Sequence, residues 1–292
     1  MIPVAFEYFA PKTLEEALRL VERHGDEAKI LAGGHSLLPL MKLRLAAPRF
    51  IIDIGRLRGM SYIREENGQI AIGAMTTHAE IAASDLLRGR CPLLAETAEA
   101  IGDVQVRNRG TLGGTLAHAD PAADYPAAVL ALDAQIVAAS SAGARIIPAR
   151  EFFVDMLTTQ LRPGEILSQV RVPMLAPRTG TAYVKLHQPA SGFAIVGVAV
   201  CVTCGGNNKI EGIAIGLTGV GPQAYRAETV EKALRDRLPT PKAVAEAARY
   251  ATSGIDTLAD LHASAEYRRE MAAVFTRRAI KRALSRTVEK KA

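Results

Sequence analysis

Two glycine pairs constrain this sequence more than any other feature. The first lies in "LAGGHS" (residues 31–36), directly after a short apolar run, and the second lies in "RNRGTLGGTLAHADPAAD" (107–124). Glycine lets a ligand approach the main chain closely, and consecutive N–H groups in such turns form an anion-binding concavity. Neither segment matches the Rossmann or P-loop pattern. Either pair alone could be a tight turn without a ligand, but two together favour a long ligand with a diphosphate, and therefore a dinucleotide.

The first half of the chain alternates short helices and short strands. "TLEEALRLVERHG" predicts an amphipathic helix that begins after Thr13 and ends at Gly25. "AKIL" and "RFIIDIG" read as buried strands, and a helix is expected to open near Ser36. "YIREENGQIAIGAM" predicts a hairpin around Asn67-Gly68, and "TTHAEIAAS" and "PLLAETAEAIG" predict helices. The glycine-rich stretch 102–126 reads as irregular.

The second half has a different character. "TAYVKL", "GFAIVGVAVCVTC" and "KIEGIAIGLTGV" predict an antiparallel sheet with a turn at "GGNN", followed by two helical patterns. We therefore place a domain boundary near residue 176, giving domains 1–176 and 177–292. Both domains are expected to be α+β. A length of 292 residues agrees with two domains.

The bulk composition excludes several classes of protein. No apolar stretch approaches the length of a transmembrane helix, and the first residues lack a signal-peptide pattern, so we expect a cytoplasmic protein. The net charge of +6 owes much to "RRAIKRALSRTVEKKA", which without a nucleic-acid-binding motif predicts a solvated or partner-docking helix rather than nucleic-acid binding. The three cysteines include a C-x-x-C at 201–204, which we interpret as buried core thiols rather than metal ligands.

Three segments carry a specific resemblance to a known family. "AGGHSLLPLMKLR", "IGAMTTHAEI" and "RNRGTLGGTLAHADPAADYPAA" resemble the FAD-binding medium subunit of the molybdenum hydroxylases, and the similarity extends over almost the whole chain. That family includes aerobic carbon monoxide dehydrogenase and the flavin domain of xanthine dehydrogenase. The resemblance implies a vanillyl-alcohol-oxidase-type (PCMH-type) FAD-binding domain followed by a smaller sheet-plus-helices domain.

The resemblance also implies which residues hold the flavin. The first turn is expected to wrap the diphosphate and the ribityl chain through its backbone N–H groups, with a hydroxyl from Ser36. Its residues are Leu31, Ala32, Gly33, Gly34, His35 and Ser36. The second cradle is formed by Gly110, Thr111, Gly113, Gly114 and Thr115.

Further contacts are implied outside the two turns. Asp124 is expected to bond the sugar-phosphate end, and Ile166 with Leu167 to pack on the adenine. Lys185 is expected to reach the polar edge of the flavin ring, and Phe193 to lie near the isoalloxazine.

Two positions depart from the family pattern. Thr115 stands where many relatives carry Asn or Asp, and Phe193 where close relatives often carry Tyr, so a phenol hydroxyl is absent. The FAD is expected to be non-covalent, although His35 follows a glycine pair as in flavin-tethering oxidases.

Four polar residues beside the second cradle have no role that the sequence decides. His118 and Asp120 could transfer protons or satisfy local backbone groups, while Arg107 and Arg109 could offset phosphate charge or face a partner. His78 is expected to cap or pack its own helix.

The implied function is electron relay within a heteromer. The resemblance implies [2Fe–2S] clusters on a small iron–sulfur subunit and molybdopterin on a large subunit, in a dimer of heterotrimers. A [2Fe–2S] cluster needs four thiolates, and this chain has three cysteines, so the clusters are expected on another chain. No catalytic residue and no metal ligand is assigned to this chain. The terminal acceptor stays open among quinone, oxygen and NAD, and the substrate stays open as well.

Two other functions remain as alternatives. A self-sufficient FAD-dependent oxidase or dehydrogenase of the same fold would need a substrate pocket with a base near the flavin, and the second domain shows no His or carboxylate cluster for one. A non-catalytic nucleotide-binding assembly protein would bind the ligand without redox chemistry.

Overall fold

The computed structural model describes residues 2–287, which fold as α+β, as predicted. The strands within that range are β1 (Glu7–Phe9), β2 (Ala28–Leu31), β3 (Phe50–Asp53), β4 (Ile63–Glu66), β5 (Gln69–Gly73), β6 (Gln135–Ser140), β7 (Gly143–Pro148), β8 (Phe153–Asp155), β9 (Thr158–Thr159), β10 (Ile166–Pro173), β11 (Thr179–His187), β12 (Ala194–Cys204), β13 (Ile210–Thr218) and β14 (Tyr225–Arg226). The helices are α1 (Leu14–His24), α2 (Leu37–Lys42), α3 (His78–Ala83), α4 (Asp85–Arg90), α5 (Pro92–Glu99), α6 (Val104–Arg107), α7 (Leu112–His118), α8 (Tyr125–Ala131), α9 (Ala149–Phe152), α10 (Glu228–Leu234), α11 (Pro241–Ala248) and α12 (Ala265–Leu284).

Two hydrophobic cores underlie the fold. The first core gathers the small parallel sheet β1-β3-β2, the antiparallel sheet β4-β5-β10-β6-β7 and helices α3, α5 and α8. The second core lies between the antiparallel sheet β11-β12-β13-β14 and helices α10, α11 and α12. Residue 176 lies between β10 and β11, and the domain boundary placed there stays a prediction.

The clearest local patterns are confirmed. In α1, the Thr13 side chain accepts a hydrogen bond from the Glu16 N–H, one apolar stripe is buried, and Gly25 ends the helix with φ 52°. The Glu16 carboxylate accepts from the Lys12 N–H at 2.8 Å, so the reciprocal half of a capping box is displaced by one residue. The hairpin at Asn67-Gly68 joins β4 to β5 as expected.

The stretch 102–126 is not irregular, so that prediction is wrong. It contains α6 and α7, and each helix begins at a side-chain cap: Asp103 accepts from the Val106 N–H, and Thr111 accepts from the Gly114 N–H. The glycine pair therefore lies inside the first turn of α7, where the cap compensates for the low helix propensity of glycine.

The last helix, α12, joins the two cores. Phe275 is buried against the second sheet, whereas Arg282 and Arg286 form ion pairs with Glu96 of α5. Arg268 is also buried and donates to the carbonyl oxygens of Ile195 and Gly219, at 2.7 and 2.6 Å. Arg282 and Arg286 belong to the basic C-terminal run, so part of that run forms ion pairs within the protein. Residues 288–292 of the run lie outside the described range.

No helix within residues 2–287 combines the length and the hydropathy that crossing a membrane would need.

Candidate functional site

A cavity of about 500 Å³ lies where the two glycine turns meet. Its volume falls in the range of ligand pockets in proteins. The first domain contributes most of the wall, and the loop before β12 contributes Ser191, Gly192 and Phe193. All the predicted site residues line this cavity except Leu31 and Lys185.

The first turn has the features of an anion cradle. It leads from β2 into α2, and its residues 33–37 line the cavity. Among residues 2–287, no acceptor receives the backbone N–H groups of these five consecutive residues. Ser36 precedes α2, but its side chain accepts no hydrogen bond from the N–H groups of the first helical turn. Its exposed hydroxyl is therefore not occupied by a helix cap. Gly33, Gly34 and Leu37 are half-buried, and His35 and Ser36 are exposed. Consecutive free N–H groups beside a cavity form an anion-binding concavity, so this run fits an oxygen-rich ligand such as a diphosphate.

The glycines of the two turns are needed for close packing between protein segments. A Cβ atom at Gly33 would lie 2.1 Å from the Arg109 carbonyl oxygen, and one at Gly113 would lie 2.6 Å from the Cβ atom of Ala74. Gly34 has a φ of 81°, which L side chains rarely adopt. The two turns are therefore packed directly against each other, and the cavity opens beside the contact.

The second turn offers fewer free N–H groups than the sequence predicted, because among residues 110–115 only the Thr111 N–H has no acceptor within residues 2–287. The N–H of Gly110 donates to Val106, that of Gly113 donates to Ala74, and that of Gly114 donates to Oγ1 of Thr111, at 2.8, 2.8 and 3.1 Å. The N–H groups of residues 112 and 115 are bonded within the protein as well. This turn can therefore contact a ligand mainly through other atoms, such as the hydroxyl groups of its threonines.

Asp124 sits at one end of the cavity in a buried ion pair. Its carboxylate accepts from Lys185 Nζ at 2.8 Å and from the hydroxyl of Tyr183, and the Asp124 and Lys185 side chains are only 6% and 7% exposed. Burial raises the pKa of Asp124, and the neighbouring Lys185 and Tyr183 oppose that shift. Lys185 Nζ also donates to the carbonyl oxygen of Ala100 at 2.9 Å.

Lys185 and Leu31 are the two predicted site residues outside the cavity lining. Lys185 does not line the cavity, because its ammonium group is held by Asp124 and Ala100 behind the wall. Leu31 lies outside the lining as well, since it is the last residue of β2. Their predicted contacts with a flavin stay predictions.

The second domain holds the Asp124 segment in place. Thr218 Oγ1 is within hydrogen-bond distance of the carbonyl oxygens of Pro121 and Ala123, at 2.8 and 2.7 Å, and the N–H of Gly219 donates to Pro121 at 2.7 Å. The cavity end that contains Asp124 therefore depends on both domains.

The remaining walls are largely apolar. Ile166 and Leu167, at the start of β10, are buried and line the cavity, while Phe193 lines it with 48% of its surface exposed. Sequence reasoning missed several lining residues, which are Leu37, Leu40, Met75, Ile101, Val106, Leu157, Leu161, Ser191 and Gly192. Most of these are ordinary apolar residues in loops or at helix ends, so only the glycine before Phe193 gave a local signal.

The structure positions the four polar residues beside the second turn whose roles the sequence left undecided. Arg107 donates to the carbonyl oxygens of Ile101 and Gly102, which fixes the loop before α6. Arg109 is exposed, and its own carbonyl packs on Gly33. His118 and Asp120 line the cavity, and Asp120 accepts from the Ala122 N–H at 2.8 Å.

The cysteines do not form a site. Cys91 and Cys204 are buried, and Cys201 is half-buried on β12 with Cys204. Burial raises the pKa of Cys91 and of Cys201 to about 12, so both thiols are protonated at neutral pH. Within residues 2–287, no group of three His, Cys, Asp or Glu residues could hold a metal ion.

A glycine-lined cavity with a run of free N–H groups, to which the second domain contributes, fits an anionic ligand such as a dinucleotide. Comparison with known families specifies the class. Residues 4–175 match the FAD binding domain in molybdopterin dehydrogenase, and residues 181–283 match the CO dehydrogenase flavoprotein C-terminal domain. The chain therefore belongs to the family of FAD-binding medium subunits of molybdenum hydroxylases, which are oxidoreductases.

Individual relatives agree over nearly the full length. The carbon monoxide dehydrogenase medium chain of Hydrogenophaga pseudoflava is 43% identical, over 98% of this chain and 99% of the relative. A solved structure of carbon monoxide dehydrogenase from the same organism superposes with a TM-score of 0.95, covering 98% of this chain and 99% of that one. Quinoline 2-oxidoreductase from Pseudomonas putida 86 is 32% identical with a TM-score of 0.90, over 98% and 99% of the two chains.

Proposed function

We propose that the chain holds FAD non-covalently in the glycine-lined cavity and relays electrons from the iron–sulfur clusters of a partner subunit to an external acceptor. The observation that carries the proposal is the run of five N–H groups, residues 33–37, without an acceptor in residues 2–287. When bound, FAD supplies exchange of one or two electrons, so it can join single-electron carriers to a two-electron acceptor.

The residues of this chain would bind and orient the cofactor. The N–H groups of the first turn would hold the diphosphate, and the apolar surface of Ile166 and Leu167 would receive the adenine. The exposed ring of Phe193 would lie near the isoalloxazine. Lys185 has a different task in this arrangement, since its contacts support an anchoring role for Asp124 rather than contact with the flavin.

The family to which the chain belongs supports the proposed partners. The three cysteines of this chain cannot supply the four thiolates of a [2Fe–2S] cluster. Any cluster of the proposed assembly would therefore lie on another chain. As in the family resemblance, the proposed assembly contains a small iron–sulfur subunit and a large molybdopterin subunit, as a dimer of heterotrimers. The free cysteines agree with a reducing, cytoplasmic location.

The relatives support a role that does not select the substrate. Chains that are 33–43% identical over nearly the full length of this one are named for carbon monoxide, 6-hydroxypseudooxynicotine, glyceraldehyde and caffeine dehydrogenases. These substrates share little chemistry, whereas the chains share one fold and length. We infer that substrate is recognised on the molybdopterin subunit.

Acid extraction of the purified chain tests the cofactor assignment. We expect a yellow protein that bleaches with dithionite, and acid precipitation should release a stoichiometric amount of flavin that chromatography identifies as FAD. Recovery of FMN alone would contradict the dinucleotide assignment. Flavin that stays with the precipitated protein would show a covalent link and would direct attention to His35.

A further inference from the structure

His78 is a buried residue of the cavity wall, and it has no role in the binding site described above. It is the first residue of α3, is 3% exposed, and lines the cavity beside the second glycine turn. Its N–H donates to the Gly110 carbonyl oxygen at 3.0 Å, and its ring lies 5.3 Å from that of Tyr125. Backbone and ring contacts together fix the imidazole.

The two ring nitrogens have different surroundings. Nδ1 is buried and has no hydrogen-bond partner among residues 2–287. Nε2 is directed to the second turn, because a Cβ atom at Gly110 would lie only 2.4 Å from it. A neutral imidazole carries one N–H, and orphaned buried N–H groups are rarer than under-satisfied acceptors. The proton therefore belongs on Nε2, on the side of the turn.

The imidazole is neutral under ordinary conditions. Burial, together with the charges of His35 and Arg107, lowers the pKa of His78 to about 4. The side chain therefore presents a single N–H donor at neutral pH and adds no positive charge to the site.

The second turn has few other donors. Its N–H groups at Gly110, at Thr115 and at residues 112–114 are already bonded within the protein. Among residues 110–115, only the Thr111 N–H has no acceptor within residues 2–287. A ligand oxygen at this turn otherwise accepts from a side chain, either a threonine hydroxyl or the imidazole of His78. We propose that His78 donates its Nε2–H to an oxygen of the bound dinucleotide at the second glycine turn. This inference rests on the proposed binding of FAD in the cavity.

Two substitutions of similar side-chain length distinguish hydrogen-bond donation by the His78 side chain from its packing. His78→Gln keeps an N–H donor near the position of Nε2, whereas His78→Met has a similar length and no donor. We expect His78→Met to weaken FAD binding to the apoprotein about tenfold and His78→Gln to stay within about twofold of wild type, measured by flavin fluorescence titration. Equal affinity of the two variants would overturn the proposal.

Tyr125→Phe is the matched control. It removes a buried hydroxyl with no partner among residues 2–287 from the ring beside His78, and Tyr125 does not line the cavity. We expect wild-type FAD affinity from this variant. A tenfold loss in Tyr125→Phe would show that packing around the imidazole, rather than its N–H, sets the affinity.

A second measurement needs no variant to fold. In long-range ¹H–¹⁵N spectra of the ¹⁵N-histidine-labelled wild-type apoprotein, the imidazole of His78 should stay neutral at about pH 5. It should carry its proton on Nε2, and the Nε2 resonance should shift when FAD is added. An Nδ1–H tautomer, or a resonance unchanged by FAD, would overturn the proposal. Wild-type chain that binds no FAD would instead contradict the proposed function itself.

Discussion

The Gly33→Ala variant should lose most of its FAD, with an affinity about 100-fold below that of wild type, or about 2.7 kcal/mol. A Cβ atom at this position would lie 2.1 Å from the Arg109 carbonyl oxygen and 2.9 Å from the Cα of Gly110. Optimal contacts between heavy atoms are about 3.5–4.0 Å, and both neighbours are backbone, so the two turns must separate. That separation would displace the free N–H groups from the cavity. Titration of the apoprotein with FAD measures the loss.

Gly89→Ala is the control for this substitution. Gly89 lies in α4, and an added Cβ atom would meet no heavy atom within 4 Å. The control should keep wild-type FAD affinity and gain about 0.5–1 kcal/mol of stability, because alanine favours a helix over glycine. Wild-type affinity in Gly33→Ala would mean that the turns tolerate separation, and the contact between them would then have no part in binding.

The Lys185→Met variant should lose about 3–5 kcal/mol of unfolding free energy at neutral pH, because it leaves the buried Asp124 carboxylate without its counter-ion. Both side chains are less than 8% exposed, so solvent cannot replace the lost partner. Urea denaturation of the apoprotein measures the change. Lys232→Met provides the same substitution in an exposed i,i+4 pair with Glu228 and should cost less than about 0.5 kcal/mol.

The pH dependence of the loss gives a further check on its cause. Burial already raises the pKa of Asp124, and Lys185 opposes that shift, so its removal should raise the pKa further. A carboxyl whose pKa is higher in the folded than in the unfolded chain takes up protons on folding. The stability lost in Lys185→Met should therefore be largest at about pH 8 and shrink towards about pH 5. A loss of unfolding free energy that does not change with pH would show that packing, and not the charge of Asp124, causes it.

Local sequence patterns predicted the elements whose cause is local. The helix α1 follows from a cap, an apolar stripe and a terminal glycine, and the hairpin at Asn67-Gly68 follows from its turn residues. One of these signals, a capping residue, was present for α7, where Thr111 caps the helix, but the glycine pair in its first turn made the segment read as irregular. A cap outweighed low propensity there.

The glycines were correctly singled out, but for an incomplete reason. Their spacing suggested close approach of a ligand, whereas Gly33 and Gly113 are glycines because other backbone segments approach them. Which N–H groups remain free depends on partners distant in sequence: Gly113 donates to Ala74, for example. No local pattern reports such a bond, so the sequence could not separate the free first turn from the largely occupied second one.

The role of Lys185 was also beyond local patterns. Its partner Asp124 is 61 residues away in sequence. The pair depends on the packing of the second domain against the segment before α8. The family resemblance located Lys185 near the cofactor, and the fold adds that its ammonium group lies behind the cavity wall. His78 was expected to pack, which it does, but the direction of its ring nitrogens required the contact with Gly110.

The most direct test of the electron-relay account is substrate-dependent dye reduction by the purified, FAD-loaded chain alone and again after the iron–sulfur and molybdopterin subunits are added. Carbon monoxide, several aldehydes and several N-heterocycles serve as substrates. We expect no turnover by the lone chain and turnover with at least one substrate in the reconstituted assembly. Steady turnover by the lone chain would contradict the relay account and identify a self-sufficient flavin oxidase or dehydrogenase instead.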